Sequence, residues 1–232
     1  IEAAQAASWR AAGCNTNLGI LLLCAPIAAA AERCSAPISV AVLRQAIESV
    51  LSELGVEDAS AAYRAIAAAH PGGLGSAPSQ DVHDAPTVGL RAAMALAAQR
   101  DSIARQYRDG FAELFELALP ALGAGFSPGE AGAPAEPAAT HAIQRLYLTL
   151  LASQPDSHIV RKHGEPVAHI VMSSAQAWRA RADEGMRLDA DAGFAAWDAQ
   201  LKAEGLNPGT TADLTVAALM LAGLTAAAAL RA

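Results

Sequence analysis

The chain has 232 residues, 60 of them alanine, with aromatic residues at only 4% and a formal charge of −7 from 16 basic and 23 acidic side chains. Alanine favours helix and sits poorly in strands, so the composition excludes a sandwich, a barrel or any large sheet and predicts an all-α, compact multi-helix bundle with alanine-rich core helices. An acidic chain also lacks the electrostatic footprint of a nucleic-acid or anionic-membrane binder, and neither partner is expected.

With few rings to anchor a core, cohesion must come from close approach of many small side chains. Apolar residues recur near every 3.6 positions, which predicts helices over 2–12, 17–33, 38–54, 58–69, 87–118, 138–153, 164–185, 190–204 and 210–230 in a single domain spanning 1–232. Asp58 or Ser60 is placed to cap the fourth helix, and Gly55 to end the third. The sequence opens at Ile1 without Met or a basic stretch and reads as the middle of a helix, so it is expected to begin inside its natural protein. Cys14, Cys24 and Cys34 show no metal-ligand spacing, which predicts reduced thiols in the cytoplasm, packed as small buried residues. The apolar run 18–31 is short and contains Pro26, while 214–230 carries Thr215, Gly223 and Thr225. Both read as core helices rather than membrane spans. Homo-oligomerisation through alanine-rich faces stays open.

Two stretches break the helical texture. Residues 70–86, HPGGLGSAPSQDVHDAP, read as a functional loop, and 120–137, PALGAGFSPGEAGAPAEP, as a linker poor in reactive groups. The basic residues are mostly arginine, suited to bidentate contacts with phosphate or carboxylate, and only Lys162 and Lys202 are lysine.

Four polar islands interrupt the alanine background. Asn15-Thr16-Asn17 precedes Leu18-Gly19 and a long apolar helix, where it serves either as ordinary capping or as a receptor for phosphate or a ribose hydroxyl. Gln80-Asp81-Val82-His83-Asp84 follows Gly72-Gly73-Leu74-Gly75. Such glycines let backbone N–H groups approach an anion, and the carboxylates suit magnesium on a nucleotide, although a solvated loop explains the residues equally well. Asp156 to Gly164 holds His158, His163 and the adjacent Arg161-Lys162, the densest local positive charge. It is either a solvated helix end closed by Gly164 or an anion clamp. Asn207-Pro208-Gly209-Thr210-Thr211-Ala212-Asp213 leads the last apolar helix. Thr210 and Asp213 have capping-box-like spacing, but capping alone does not require Asn207, Pro208, Gly209 and Thr211 as well.

In order, these islands resemble the triphosphoribosyl-dephospho-CoA synthase family, which makes the prosthetic-group precursor of citrate lyase and malonate decarboxylase. NPGTTADLTVAALML at 207–221 is similar to the family's Pro-Gly-(Gly/Thr)-(Ser/Thr)-Ala-Asp-Leu segment, and GCNTNLGILLLCAPIAAA at 13–30 to its Asn-Thr-x-x-Gly helix start. Segments 80–109 and 153–164 are similar to the branch found in archaea and one-carbon-metabolising bacteria. Where the citrate-lyase branch has His-Lys before the glycine, this chain has Asn17-Leu18, and it lacks the family's N-terminal Lys-Pro-Gly segment.

The resemblance implies transfer of the triphosphoribosyl part of ATP to the 2′-hydroxyl of 3′-dephospho-CoA, with adenine leaving and Mg2+ accompanying ATP. Displacement at an anomeric carbon passes through an oxocarbenium-like state, which calls for a carboxylate near the ribose, a proton for adenine and neutralisation of the triphosphate. On that reading Asp213 or Asp84 acts as general base or cation stabiliser, Asp81 and Asp84 hold the metal, and His83 donates the proton. Arg161 and Lys162 bind phosphates, while Asn15, Thr16, Asn17, Gly19, Asn207, Gly209, Thr210 and Thr211 contact substrate. Two alternatives remain at this point: a phosphoribosyl-type transferase with another acceptor, tied to tetrahydromethanopterin, and a non-catalytic nucleotide-binding or oligomerising module.

Overall fold

A computed structural model describes residues 1–69, 77, 79–123, 126 and 137–229, with side chains up to 226. Among the described residues there is no strand, as the alanine content predicts. The glycine turn Gly72–Gly75 and most of the expected linker lie outside the described residues. The chain divides into two compact units, one within Ile1–Ala112 and the other within Glu113–Ala226.

The first unit contains α1 (Glu2–Ala12), α2 (Leu18–Glu32), α3 (Val40–Glu53), α4 (Val56–Ala69), α5 (Leu90–Ala97) and α6 (Ser102–Arg108). Helix α2 packs on α3, α4 and α6, α1 on α4, and α5 on α4 and α6. The interior is built from Leu23, Ile27, Leu43, Ile47, Leu51, Tyr107 and Phe111, all at most 1% exposed.

Pro26 sits inside α2. A helical proline brings no N–H, so the carbonyl four residues earlier, at Leu22, loses its usual donor. Tyr107, 1% exposed, supplies the replacement: its hydroxyl donates to the Leu22 carbonyl at 2.6 Å. Burial pushes this phenol well above the ordinary tyrosine range, so it remains a donor.

The periodicity predicts one helix over 87–118, but the chain forms α5, α6 and a π-helical turn, Leu114–Ala118. The first break follows Arg100, where the Asp101 carboxylate accepts from Ala104 N at 3.0 Å and starts a new helix. The second is Gly110-Phe111, both left-handed, at φ 62° and 60°. Phe111 is fully buried against Tyr107, edge to face at 5.8 Å between centroids, so packing holds a conformation that a bulky residue rarely adopts.

Gly55 opens the fourth helix rather than ending the third in a left-handed cap. Its carbonyl accepts from Ala59 N, and its N–H donates to Asp58 Oδ2 at 2.9 Å. Ser60 is no cap either, since its hydroxyl donates back to the Val56 carbonyl. The cysteines form no disulfide, with Cys14 exposed and Cys24 and Cys34 half-buried, so the expectation of buried packing residues fails. Cys14 lies in the exposed link between α1 and α2, where no core is available to cover it.

The second unit contains α7 (Leu119–Leu122), α8 (Pro137–Ser153), α9 (Ser157–His163), α10 (Glu165–Asp183), a 3-10 turn (Leu188–Ala190), α11 (Ala192–Ala203) and α12, which starts at Gly209. Helix α8 packs chiefly on α10. Ala168, Ala175 and Ala182 recur every seven residues on the buried side of α10, which is the close approach over small side chains that the composition predicts. Trp178, Phe194 and Trp197 gather with ring centroids 5.4–6.3 Å apart, and the Arg181 guanidinium lies 4.6 Å from the Trp178 ring.

Among the described residues α12 is the one helix long and apolar enough to cross a membrane, with a mean hydropathy of 1.3 over Gly209–Ala226. Leu214, Ala217, Ala218 and Leu221 are at most 3% exposed, which agrees with a core helix.

Tyr107→Phe removes the donor and leaves the Leu22 carbonyl buried and unpaired. We expect a loss of about 1–3 kcal/mol in urea unfolding, with the m-value unchanged. Wild-type stability in this variant would show that Pro26 is compensated in some other way.

Candidate functional site

The third and fourth islands, far apart in sequence, are joined in the second unit. Asp156 is the N-cap of α9, and its Oδ1 accepts from His158 N at 2.8 Å and Ile159 N at 3.1 Å. Its Oδ2 accepts from both the N–H and the hydroxyl of Thr211, each at 2.8 Å. The neighbouring Ser157 hydroxyl donates to Thr210 Oγ1 at 3.0 Å. Asp156, Ser157, Thr210 and Thr211 are all at most 4% exposed, so this is a dry, fully bonded lock between the starts of α9 and α12.

This geometry replaces the capping box. Helix α12 starts at Gly209, which places Thr210 inside the helix, with Ala212 N bonded to the Pro208 carbonyl. The anion at this helix start is the protein's own Asp156. The hydroxyls of Thr210 and Thr211 and the Thr211 N–H are bonded within the lock.

Those surroundings hold the remaining second-unit candidates. Asn207 is exposed, Asp213 and Arg161 are half-buried, and Lys162 is exposed with Arg161 in the last turn of α9. Gly164 closes that helix at φ 87°, as expected for a C-cap glycine. A methyl group on Gly209 would come within 3.0 Å of His158 Nδ1 and 3.6 Å of Asn207 Nδ2, so any larger residue there would require the imidazole to give way by a few tenths of an ångström. Burial holds His158 below the ordinary histidine range, and Lys162 and Arg161 act in the same direction against the opposing pull of Asp156. The Tyr147 phenol, near Asp156, is pushed up mainly by burial.

In the first unit the candidates fall at the start of α2 and in the loop before α5. Asn15 Oδ1 accepts from Leu18 N at 3.2 Å, and thus caps the helix, while Asn17, at the N-cap position, uses its amide Nδ2 to donate to Ser8 Oγ at 2.9 Å. Thr16 is exposed and Gly19 buried. In the loop, Asp81 is 9% exposed; its Oδ1 accepts from His83 N and its Oδ2 from Ala77 N. These two backbone donors hold its carboxyl below the ordinary range. The Gln80 side chain bonds Thr87 twice, and Tyr63 donates to the Gln80 carbonyl. His83 and Asp84 are exposed.

The metal expectation can be tested against this chemistry. Among the described residues no three His, Cys, Asp or Glu side chains converge. The ionised Asp81 with exposed Asp84 nevertheless suits magnesium that takes most of its ligands from nucleotide phosphates and water.

Sequence reading passed over Asp156 and His158 as site residues. The available signal was Asp156 directly ahead of Ser-His at a helix start, but a capping aspartate looks the same whether or not its second oxygen reaches another helix.

The class that the fold and site define is an all-α protein with two polar helix starts locked by a buried aspartate. The comparisons make the class specific, because residues 1–231 match the CitG family, ATP:dephospho-CoA triphosphoribosyl transferase. The chain belongs to that family, and its activity is transfer of the triphosphoribosyl group of ATP to dephospho-CoA with release of adenine. Among solved structures it is similar to one described as "putative triphosphoribosyl-dephospho-coA synthase" from Archaeoglobus fulgidus. The TM-score is 0.67 at 22% identity, over 90% of this chain and 83% of that one, a likeness of fold. No curated protein matches. The alternative acceptor and the non-catalytic module are not favoured.

Asp156→Ala leaves the Thr211 N–H and hydroxyl and two α9 amides without their acceptor. Stability should fall by about 2–3 kcal/mol in chemical denaturation, whereas Asp156→Asn, which keeps one acceptor oxygen, should lose less. Equal losses would show that charge and geometry at Oδ2 do not matter.

Proposed function

We propose that the second-unit cluster holds the triphosphoribosyl donor, with Arg161 and Lys162 on the phosphates and Asp213 beside the ribose, where its carboxylate stabilises the cationic transition state. The observation that carries this reading is the Asp156–Thr211 lock, which fixes the basic end of α9 and the Asn207–Asp213 segment in one rigid frame. Asn207 hydrogen-bonds the sugar. Thr210, Thr211 and Gly209 act by keeping that frame closed and admitting His158.

In the first unit, Asn15, Thr16 and Asn17, with Gly19 giving close backbone approach, offer hydrogen bonds to ribose or phosphate. Asp81 and Asp84 would hold magnesium, which supplies charge neutralisation when bound. His83, exposed, is the candidate proton donor of this unit, and Asp84 is the second choice for general base. A cytoplasmic setting, where ATP and free thiols both belong, is part of the same proposal.

Incubation with ATP, Mg2+ and 3′-dephospho-CoA, followed by mass spectrometry, should show adenine and the triphosphoribosyl adduct. Asp213→Asn should keep ATP binding within about threefold and lower turnover by roughly 10²-fold or more. Full turnover in that variant would remove Asp213 from the chemistry, and failure of the wild type to release adenine would overturn the reading as a whole.

A further inference from the structure

His158, on α9 of the third island, adjoins Gly209 of the fourth. Its backbone N–H is bonded to Asp156, but its ring is not anchored: Nε2 is shielded from solvent and makes no hydrogen bond, while Nδ1 faces the bare Cα of Gly209 beside the Asn207 amide. Buried polar atoms without a partner occur at several places among the described residues, and this one belongs to the ring that adjoins Gly209 and Asn207.

Resting on the transfer reading above, we infer that His158 is the base that takes the proton of the acceptor hydroxyl at its unpartnered Nε2. The groups around it are Asp156, Arg161, Lys162 and His163 from α9 and, from the α12 side, Asn207 and Gly209, with Asp213 one turn further along. A ring kept neutral by burial and two cations is ready to accept a proton. When a triphosphate reaches Arg161 and Lys162, their repulsion of an imidazolium is offset and the proton affinity of His158 rises. Donor binding thus arms the base.

The step balances. The hydroxyl oxygen bonds to the anomeric carbon, the bond from that carbon to adenine breaks with its electron pair going to the adenine nitrogen, and the hydroxyl proton passes to His158. Adenine takes up one proton, and the ring returns to neutral by releasing one.

The test has two readouts. His158→Gln should lower turnover by about 10²–10⁴-fold while circular dichroism stays that of the wild type. In wild-type protein, the His158 ring signal followed by NMR should titrate below about 6.5, and its midpoint should rise when inorganic triphosphate is added. Wild-type turnover in His158→Gln, or a midpoint indifferent to triphosphate, would overturn the inference and leave the transfer reading intact. Failure of the wild type to release adenine would overturn both. If His158→Gln does not fold, Gly209→Ala takes its place, because its methyl displaces the ring by a few tenths of an ångström. It should lower turnover about tenfold or more with a cooperative melt, and unchanged turnover would count against the assignment.

Discussion

A carboxylate taken out of water must be given hydrogen-bond donors, and Asp156 finds them on two helices whose contacting residues are 55 positions apart. Everything assigned to the second unit depends on that requirement. The short helix α9, seven residues long, would be marginal in isolation, and it is held because its capping residue is also the acceptor for Thr211. The same oxygen occupies the start of α12 with a fixed negative charge. In the function proposed above, substrate phosphate is therefore met by side chains further out, Arg161 and Lys162, rather than by bare amides. On that reading the lock separates two tasks: buried residues set geometry, and more exposed ones make contact.

Much of this fold was legible because alanine content and apolar periodicity report on backbone preference directly. Nearly every predicted helix appears within two residues of its expected ends. The failure at 87–118 has a local cause that periodicity cannot see. Asp101 can either ride on a helix face or cap a new one, and the choice depends on whether its side chain turns back to Ala104. Gly110-Phe111 is harder still, since only tertiary packing keeps a phenylalanine in the left-handed region.

The candidate site was legible as islands but not as a network. Asn207, Gly209 and Asp213 stood out because capping needs fewer residues than the motif supplies, and the resemblance to a family placed them in a reaction. Asp156 and His158 did not stand out, because hydrogen bonding between distant segments leaves no periodic trace. Thr210 and Thr211 are read as substrate contacts from the motif and the resemblance it carries. Their burial and their bonds to Ser157 and Asp156 leave no trace in that motif.

The pairing of Pro26 with Tyr107 bears on how this sequence can change over time. The dependence runs one way: a proline at 26 without the phenol strands a carbonyl in the core, whereas the Leu22 carbonyl, with two lone pairs, still accepts from Tyr107 when residue 26 brings its own N–H. The tyrosine can therefore precede the proline at no cost but cannot be lost after it, so the two positions, 85 residues apart, are ordered in the sequence of change they permit.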